Sequence, residues 1–217
     1  MLVKEYMTRH PLMVDPEMSV VDAQCYMSQN DIRHLPVVGD GKRLLGLVTR
    51  ERFLIDPNTL ASLDIWEIAR ALSGLSVKDV MIKARDVVTV DPDLTIEEAA
   101  YRMAEKKVGC LPVLEDDVVV GMISQVDLLA LLAEMLGTRW MGVRVTVRMP
   151  DRRGEFAKMV AAISAKGWGI TAMGGVPTLK DPSSWDAVVK IRFVTPDEVV
   201  EALQQVEGHE IIDVRET

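Results

Sequence analysis

Leu35-Pro36-Val37 and Leu111-Pro112-Val113 are one motif written twice in a single chain. Working outward, Val14-Asp15-Pro16 answers Val90-Asp91-Pro92. Ala23 and Met27 answer Ala99 and Met103, Gly46 answers Gly121, and Thr49 answers Ser124. The openings match as well, Val3-Lys4-Glu5-Tyr6-Met7 against Val77-Lys78-Asp79-Val80-Met81. With small gaps, Val3–Leu54 lies on Val77–Leu129. A repeat of this length marks two supersecondary units that bury their apolar faces together.

Each copy reads as β-α-β-β-α. A short strand, Leu12-Met13-Val14 or Val87-Val88-Thr89-Val90, runs into Asp-Pro. Proline stops it, having no N–H for a ladder. Ser19 or Thr95 then caps a helix. Thr95-Ile96-Glu97-Glu98 has the spacing of a reciprocal capping box. Val20, Ala23, Met27 and Ile96, Ala99, Ala100, Met103 form stripes of helical period, and Cys25 is expected on the core side. The apolar strands Leu35–Val38 and Leu44–Val48 follow, joined through Gly39-Asp40-Gly41-Lys42. Glu115-Asp116-Asp117 is the matching turn in the second copy. A closing helix is clearest at Val126–Leu136. Between the copies, residues 55–76 carry Leu60, Leu63, Ile65, Trp66, Ile68, Ala69 and Leu72 on a wide apolar helical face that Gly74 ends.

The chain has 217 residues, 25 Lys and Arg, 33 Asp and Glu, and a formal charge of −8. This length suggests one or two domains. No apolar run reaches the roughly 18 residues of a membrane span. Met1–Tyr6 lacks the basic-then-apolar pattern of a signal peptide. Two cysteines, Cys25 and Cys110, build no disulfide scaffold, which suits a reducing cytoplasm. An acidic chain without a basic stripe argues against nucleic acid.

After Gly137 the pattern changes. Gly142–Met149 alternates apolar and polar residues as a half-buried strand does. Pro150–Gly154 turns into a helix with Phe156, Met159, Val160 and Ile163 on one face, stopped at Gly167-Trp168-Gly169. Ile170–Met173 is a strand, and Val176–Ser184 a loop or hairpin. Trp185, Ala187, Val189, Ile191 and Phe193 face one way along the next strand. Thr195-Pro196-Asp197-Glu198 opens a helix, and His209–Arg215 is a last strand. The order βαββαβ favours a ferredoxin-like layer, with helices on one face of a four-stranded antiparallel sheet.

Two units with Leu-Pro-Val and Gly-x-x-Ser/Thr-x-x-Asp resemble a tandem CBS-domain pair, a Bateman module, over residues 1–137. Asp151-Arg152-Arg153-Gly154-Glu155-Phe156-Ala157 with Gly167-Trp168-Gly169-Ile170 resembles an ACT domain over residues 141–217. Arg153 and Gly169 depart from that second pattern. The whole layout resembles the acetoin-utilisation B-type regulatory family. The expected organisation is a mixed α+β chain: repeat one at 1–54, a helical connector at 55–76, repeat two at 77–137 and an ACT-like domain at 141–217.

The resemblance implies an adenine nucleotide or adenosine derivative, S-adenosylmethionine included, held between the repeats as a regulatory ligand. One cleft takes Ile123, Ser124 and Asp127 from the second copy against Thr8, Pro11, Leu12, Ile32, Arg33 and His34 from the first. An Asp carboxylate accepts both hydroxyls of a ribose, and guanidinium or helix-start N–H groups hold phosphate. The second cleft has Thr49 with Arg52 at the Asp position, facing Val108, Gly109 and Cys110. Arginine has no acceptor, so this cleft is expected to be empty or altered toward phosphate.

Asp127 has a second reading, as a plain helix cap. Asp151 and Gly154 read equally as effector contacts or as a tight turn. Trp66, Trp140, Trp168 and Trp185 suit a core or a dimer interface. No catalytic triad, P-loop or zinc spacing is present, and His10 and His209 stand far apart. The expected protein is a non-enzymatic sensor, a homodimer acting on a separate regulated protein. A dimeric scaffold without nucleotide is the alternative.

Overall fold

The structure is a computed structural model that describes residues 1–53, 74–179 and 181–217. The apolar helical face expected across residues 60–72, with Trp66, lies outside the described residues. The chain divides into two compact units, Met1–Leu128 and Leu129–Thr217.

In the first unit the helices are α1 (Val3–Tyr6), α2 (Val20–Gln29), α3 (Val77–Val80) and α4 (Ile96–Lys106). The strands are β1 (Thr8–Arg9), β2 (His34–Val38), β3 (Leu44–Thr49), β4 (Ile82–Lys83), β5 (Cys110–Glu115) and β6 (Val118–Ser124). They form two three-stranded sheets, β1-β6-β5 and β2-β3-β4. Each hairpin is therefore completed by the opening strand of the other copy. Thr8 pairs with Met122, and Ile82 with Leu47. A two-stranded hairpin alone is marginal in water, and the exchanged strand supplies the third.

The exchange explains the repeated glycine. A Cβ on Gly121 would collide with the Met7 thioether, and one on Gly46 with the Met81 thioether and the Ile82 carbonyl. The opening helices cross over too. Val3 and Lys4 donate to the carbonyls of Leu94 and Pro92, while Val77 and Lys78 donate to those of Met18 and Pro16.

The strands expected at Leu12–Val14 and Val87–Val90 shrink to single parallel bridges, Val14 to Val37 and Val90 to Val113. The Asp-Pro turn leaves room for one ladder step only. Val14 and Val90 donate to the carbonyls of Pro36 and Pro112. Those prolines sit in edge strands, where a missing N–H breaks no sheet.

Ser19 and Thr95 cap their helices, accepting from the backbone of Asp22 and Glu98. Only the Thr95 half of the expected box forms, because the Glu98 carboxylate pairs with Arg102 one turn on, at 3.1 Å. Asp116 and Asp117 both adopt positive φ (50° and 66°), as a two-residue hairpin turn requires. Val14, Val20, Ala23, Met27, Leu35, Val37 and Val48 pack as one core, which Val77 of the second copy joins. Cys25 is exposed rather than buried, lying on α2 beside the core stripe and outside it.

Helix α5 (Gln125–Met135) contains the boundary between the units, which falls earlier than Gly137. In the second unit, β7 (Val143–Pro150), β8 (Ile170–Pro177), β9 (Ser184–Ile191) and β10 (Glu210–Glu216) form one sheet in the order β10-β7-β9-β8. Every pairing is antiparallel. With α6 (Glu155–Ala165) and α7 (Pro196–Gln204), the element order is the expected βαββαβ.

Val143, Val145, Val147, Met149, Met159, Ile163, Val189 and Leu203 fill the second core, with Trp168 and Trp185 packed against it. Thr195 and Glu198 form a full capping box, with Pro196 in the first turn. The buried ammonium of Lys190 donates to the Gly137 carbonyl at 2.9 Å, tying the chain beyond α5 to this sheet. The alternation of β9 ends at Ile191. Phe193 turns away with positive φ and is exposed, as is Trp140.

Candidate functional site

Strand β6 runs directly into α5, and the junction is built by Ser124 and Asp127. The Ser124 hydroxyl donates to Asp127 Oδ2 at 2.7 Å, and the Ser124 N–H donates to the same oxygen at 2.8 Å. The Asp127 N–H donates back to the Ser124 hydroxyl at 3.3 Å. This is a reciprocal helix cap, so the capping reading of Asp127 holds. It occupies one carboxylate oxygen. The other has no protein partner among the described residues, and both side chains are half-buried.

Beside this junction runs β1 of the first copy, which places Thr8 opposite Met122 and Arg9 opposite Gly121. Pro11 is buried and Leu12 exposed. Ile32 packs on the first copy's core. The carbonyl of exposed Arg33 accepts from the Arg50 N–H at 2.9 Å, which pins the segment before Leu35-Pro36. Ile123 is wholly buried, so its side chain belongs to the core and only its backbone can face a ligand.

The equivalent junction in the first copy differs. Thr49 pairs with His34 across β2 and β3, as Ser124 pairs with Cys110 across β6 and β5. A 3-10 turn, Arg50–Phe53, follows Thr49 where an α-helix follows Ser124. The ring of His34 lies against Gly109, where a Cβ would come within 3.2 Å of Nε2. His34 thus reaches the wall that Val108, Gly109 and Cys110 give to the second cleft.

Burial lowers the His34 pKa, and Arg33 lowers it further, against the pull of Glu51. Burial pushes the Cys110 thiol up to about 12, with the Glu51 charge adding to it. A thiol so protonated is no nucleophile at neutral pH.

Glu51 is the residue that the sequence reading passed over. Its own backbone N–H, then the Thr49 hydroxyl, hold its carboxyl below the usual range, with His34 and Arg33 assisting against desolvation. Arg52 is exposed. The second cleft therefore keeps a carboxylate one position earlier than Asp127 would predict. Thr49-Arg50-Glu51-Arg52 set against Ser124-Gln125-Val126-Asp127 carries that signal as a one-residue displacement.

In the second unit the turn after β7 holds the other candidates. Gly154 has φ 90°, open only to glycine at low cost. The Asp151 N–H donates to the Ser183 carbonyl at 2.7 Å. Next to them, the buried Glu155 carboxylate accepts from Lys158 at 2.9 Å and meets buried His209 Nε2 at 3.0 Å. Lys158 first, then His209, hold its carboxyl below the usual range against desolvation. Among the described residues, no group of three or more His, Cys, Asp or Glu is placed to hold a metal ion. No described helix is long and apolar enough to cross a membrane.

Two exchanged β-β hairpins, each opened by the other's strand and each closed at a Ser/Thr junction, define a paired two-repeat module. The CBS domain model matches residues 3–55 and 77–134, just over half of the chain, and the chain belongs to the CBS domain family. The chain is similar to the crystal structure of the acetoin utilization protein AcuB of Vibrio cholerae. That likeness has 32% identity and a TM-score of 0.53 over 64% of this chain and 95% of that one.

The CBS pair of MJ0100, solved with 5'-methylthioadenosine and S-adenosyl-L-methionine, shares the fold. It has 22% identity and a TM-score of 0.51, over 62% of this chain and 97% of that one. A homoserine O-acetyltransferase of Methanohalobium evestigatum is 32% identical over 117 residues, covering 54% of this chain. The match spans only 21% of that enzyme's length.

Proposed function

We propose that the chain is a regulatory sensor without catalysis of its own, binding an adenine nucleotide or adenosine derivative in the first CBS cleft. The observation that carries this is the Ser124–Asp127 junction. One carboxylate oxygen is fixed by the cap and the other has no partner among the described residues, beside the opening strand of the opposite copy. The second oxygen accepts from a ribose diol, and Thr8, Pro11, Leu12 and Ile32 line the base. Arg33 faces the phosphate or its equivalent, with Ile123 contributing backbone, while the His34 ring, expected beside Arg33, lies instead against Gly109 of the second cleft. The adenosine ligands of MJ0100 support this class of ligand.

The second cleft, with Thr49, Arg52, Val108, Gly109 and Cys110, is the weaker site. The βαββαβ unit acts as an ACT-like effector domain through Asp151 and Gly154. The working form is a cytoplasmic homodimer, and the regulated protein belongs to acetoin or acetyl-CoA metabolism, as the likeness to AcuB suggests. A ligand shifts such a protein only through unequal affinity for two arrangements.

Calorimetry with AMP, ADP, ATP and S-adenosylmethionine on the full chain tests the reading. Saturable binding that Asp127→Asn weakens supports it. No binding by any of the four at millimolar concentration favours the scaffold reading, which the replacement of Asp by Arg52 also motivates.

A further inference from the structure

The end of the second unit's sheet opposite the Asp151–Gly154 turn carries a pocket of about 290 Å³, lined by Trp140, Gly169, Ile170, Thr171, Arg192 and Phe193. Its construction is unusual in three respects. First, Phe193 follows β9 with φ 61°, a backbone conformation that a bulky residue adopts at a cost. The turn does not bury the ring, which is 93% exposed. Strain that gains no core contact is a feature of functional positions.

Second, the Arg192 guanidinium lies 5.1 Å from the Trp140 ring centroid and 5.2 Å from that of Phe193, within cation–π range of both. Two aromatic rings thus flank the guanidinium, whose five N–H donors can pair with a carboxylate. Among the described residues Arg192 forms no salt bridge, although Arg144, Arg148 and Arg215 of the same unit each do.

Third, the opposite wall is open. The β8–β9 register shifts between Ile170 and Ala172, which puts Thr171 at an irregularity in the sheet. A Cβ on Gly169 would meet nothing within 4 Å. The pocket therefore combines one oriented cation, one hydroxyl-bearing residue, an apolar floor at Ile170 and two exposed aromatic rings.

We propose that this pocket binds a small organic acid whose carboxylate is joined to a flat apolar group. The guanidinium edge takes the carboxylate with two parallel hydrogen bonds, and the rings with Ile170 cover the apolar body. The volume sits at the lower end of small-molecule sites, which suits a ligand of one ring. The pocket shares no residue with either CBS cleft or with the Asp151–Gly154 turn, and it stands whether or not nucleotide binds.

Benzoate is the probe, titrated into the full chain while the indole N–H resonance of Trp140, assigned by Trp140→Phe, is followed by NMR. A ligand of this size at moderate efficiency binds at ~1 mM. Benzamide, which keeps the ring and loses the charge, is expected to bind at least tenfold more weakly. Arg192→Gln is expected to reduce benzoate to the benzamide level. Phe193→Gly removes the backbone strain, so the fold stays intact while benzoate affinity falls severalfold. A Trp140 resonance unmoved at ~10 mM benzoate, well past that affinity, overturns the proposal. So does equal binding of benzamide, or undiminished benzoate binding by Arg192→Gln.

Discussion

The two copies of the repeat share their opening helix, their capped second helix, their hairpin and its glycine, yet they end differently. After β6, Ser124 and Asp127 cap an α-helix and leave one carboxylate oxygen without a partner among the described residues. After β3, Thr49 runs into a 3-10 turn, Glu51 moves beside the hydroxyl, and Arg52 points outward. The packing that makes the module is thus doubled, while the chemistry at its two junctions is not. Selection on a shared core constrains both copies alike, whereas each junction is free to change alone.

The largest effect tests the shared part. Gly46→Ala sets a Cβ against the Ile82 carbonyl, and backbone cannot swing aside, so a loss of about 3 kcal/mol is expected, at the upper end for overpacking. Gly121→Ala meets only the flexible Met7 side chain, and about 1 kcal/mol is expected. Urea unfolding measures both. Equal losses would mean that the two exchanged strands sit more alike than the contacts indicate.

The next effect tests the part that differs. Asp127→Ala removes charged acceptors from the ribose, and about a 100-fold loss of nucleotide affinity is expected, with ~1 kcal/mol of stability lost with the cap. Calorimetry beside thermal unfolding separates the two. Arg52→Asp restores the carboxylate to the first copy. The expected gain is about tenfold in second-site affinity, one charge-assisted hydrogen bond's worth, read as a stoichiometry moving from one toward two per chain. A stoichiometry fixed at one would show that the 3-10 turn, and not the side chain, closes that cleft.

The smallest effect is acid sensitivity. Burial lowers the His34 pKa from the ordinary 6.5, so the unfolded chain binds this proton more readily. The associated stability is complete above pH 6.5 and is lost as the pH falls through the lowered folded value. His34→Asn is expected to flatten the stability profile in that window. An unchanged slope assigns the acid loss to other groups.

Much of this was legible in the residues. The paired Leu-Pro-Val and Asp-Pro motifs gave two matching units because turns and caps are local chemistry, read within a few residues. The βαββαβ order followed from alternation along Gly142–Met149 and Trp185–Ile191. The exchange of opening strands was not legible, since Thr8-Arg9 and Ile82-Lys83 are too short to show a period, and their partners lie in the other copy. Glu51 was missed because alignment by the Asp position points to Arg52, and only the tighter 3-10 turn brings its neighbour to Thr49. Phe193 fitted the alternation of β9 until the backbone left the strand.

The exchanged strands also set a timetable. Thr8 and Arg9 leave the ribosome early, but the strand that receives them ends at Ser124. At about 5–20 residues per second, that interval lasts roughly 5–20 s. The first copy's hairpin, finished at Thr49, receives β4 as soon as Ile82 and Lys83 are made, whereas β1 waits for Ser124. During synthesis the β2-β3-β4 sheet thus has all its strands about 40 residues before β1-β6-β5 does, and a nascent chain stalled between Lys83 and Ser124 exposes the unpaired opening strand to whatever helper proteins attend it.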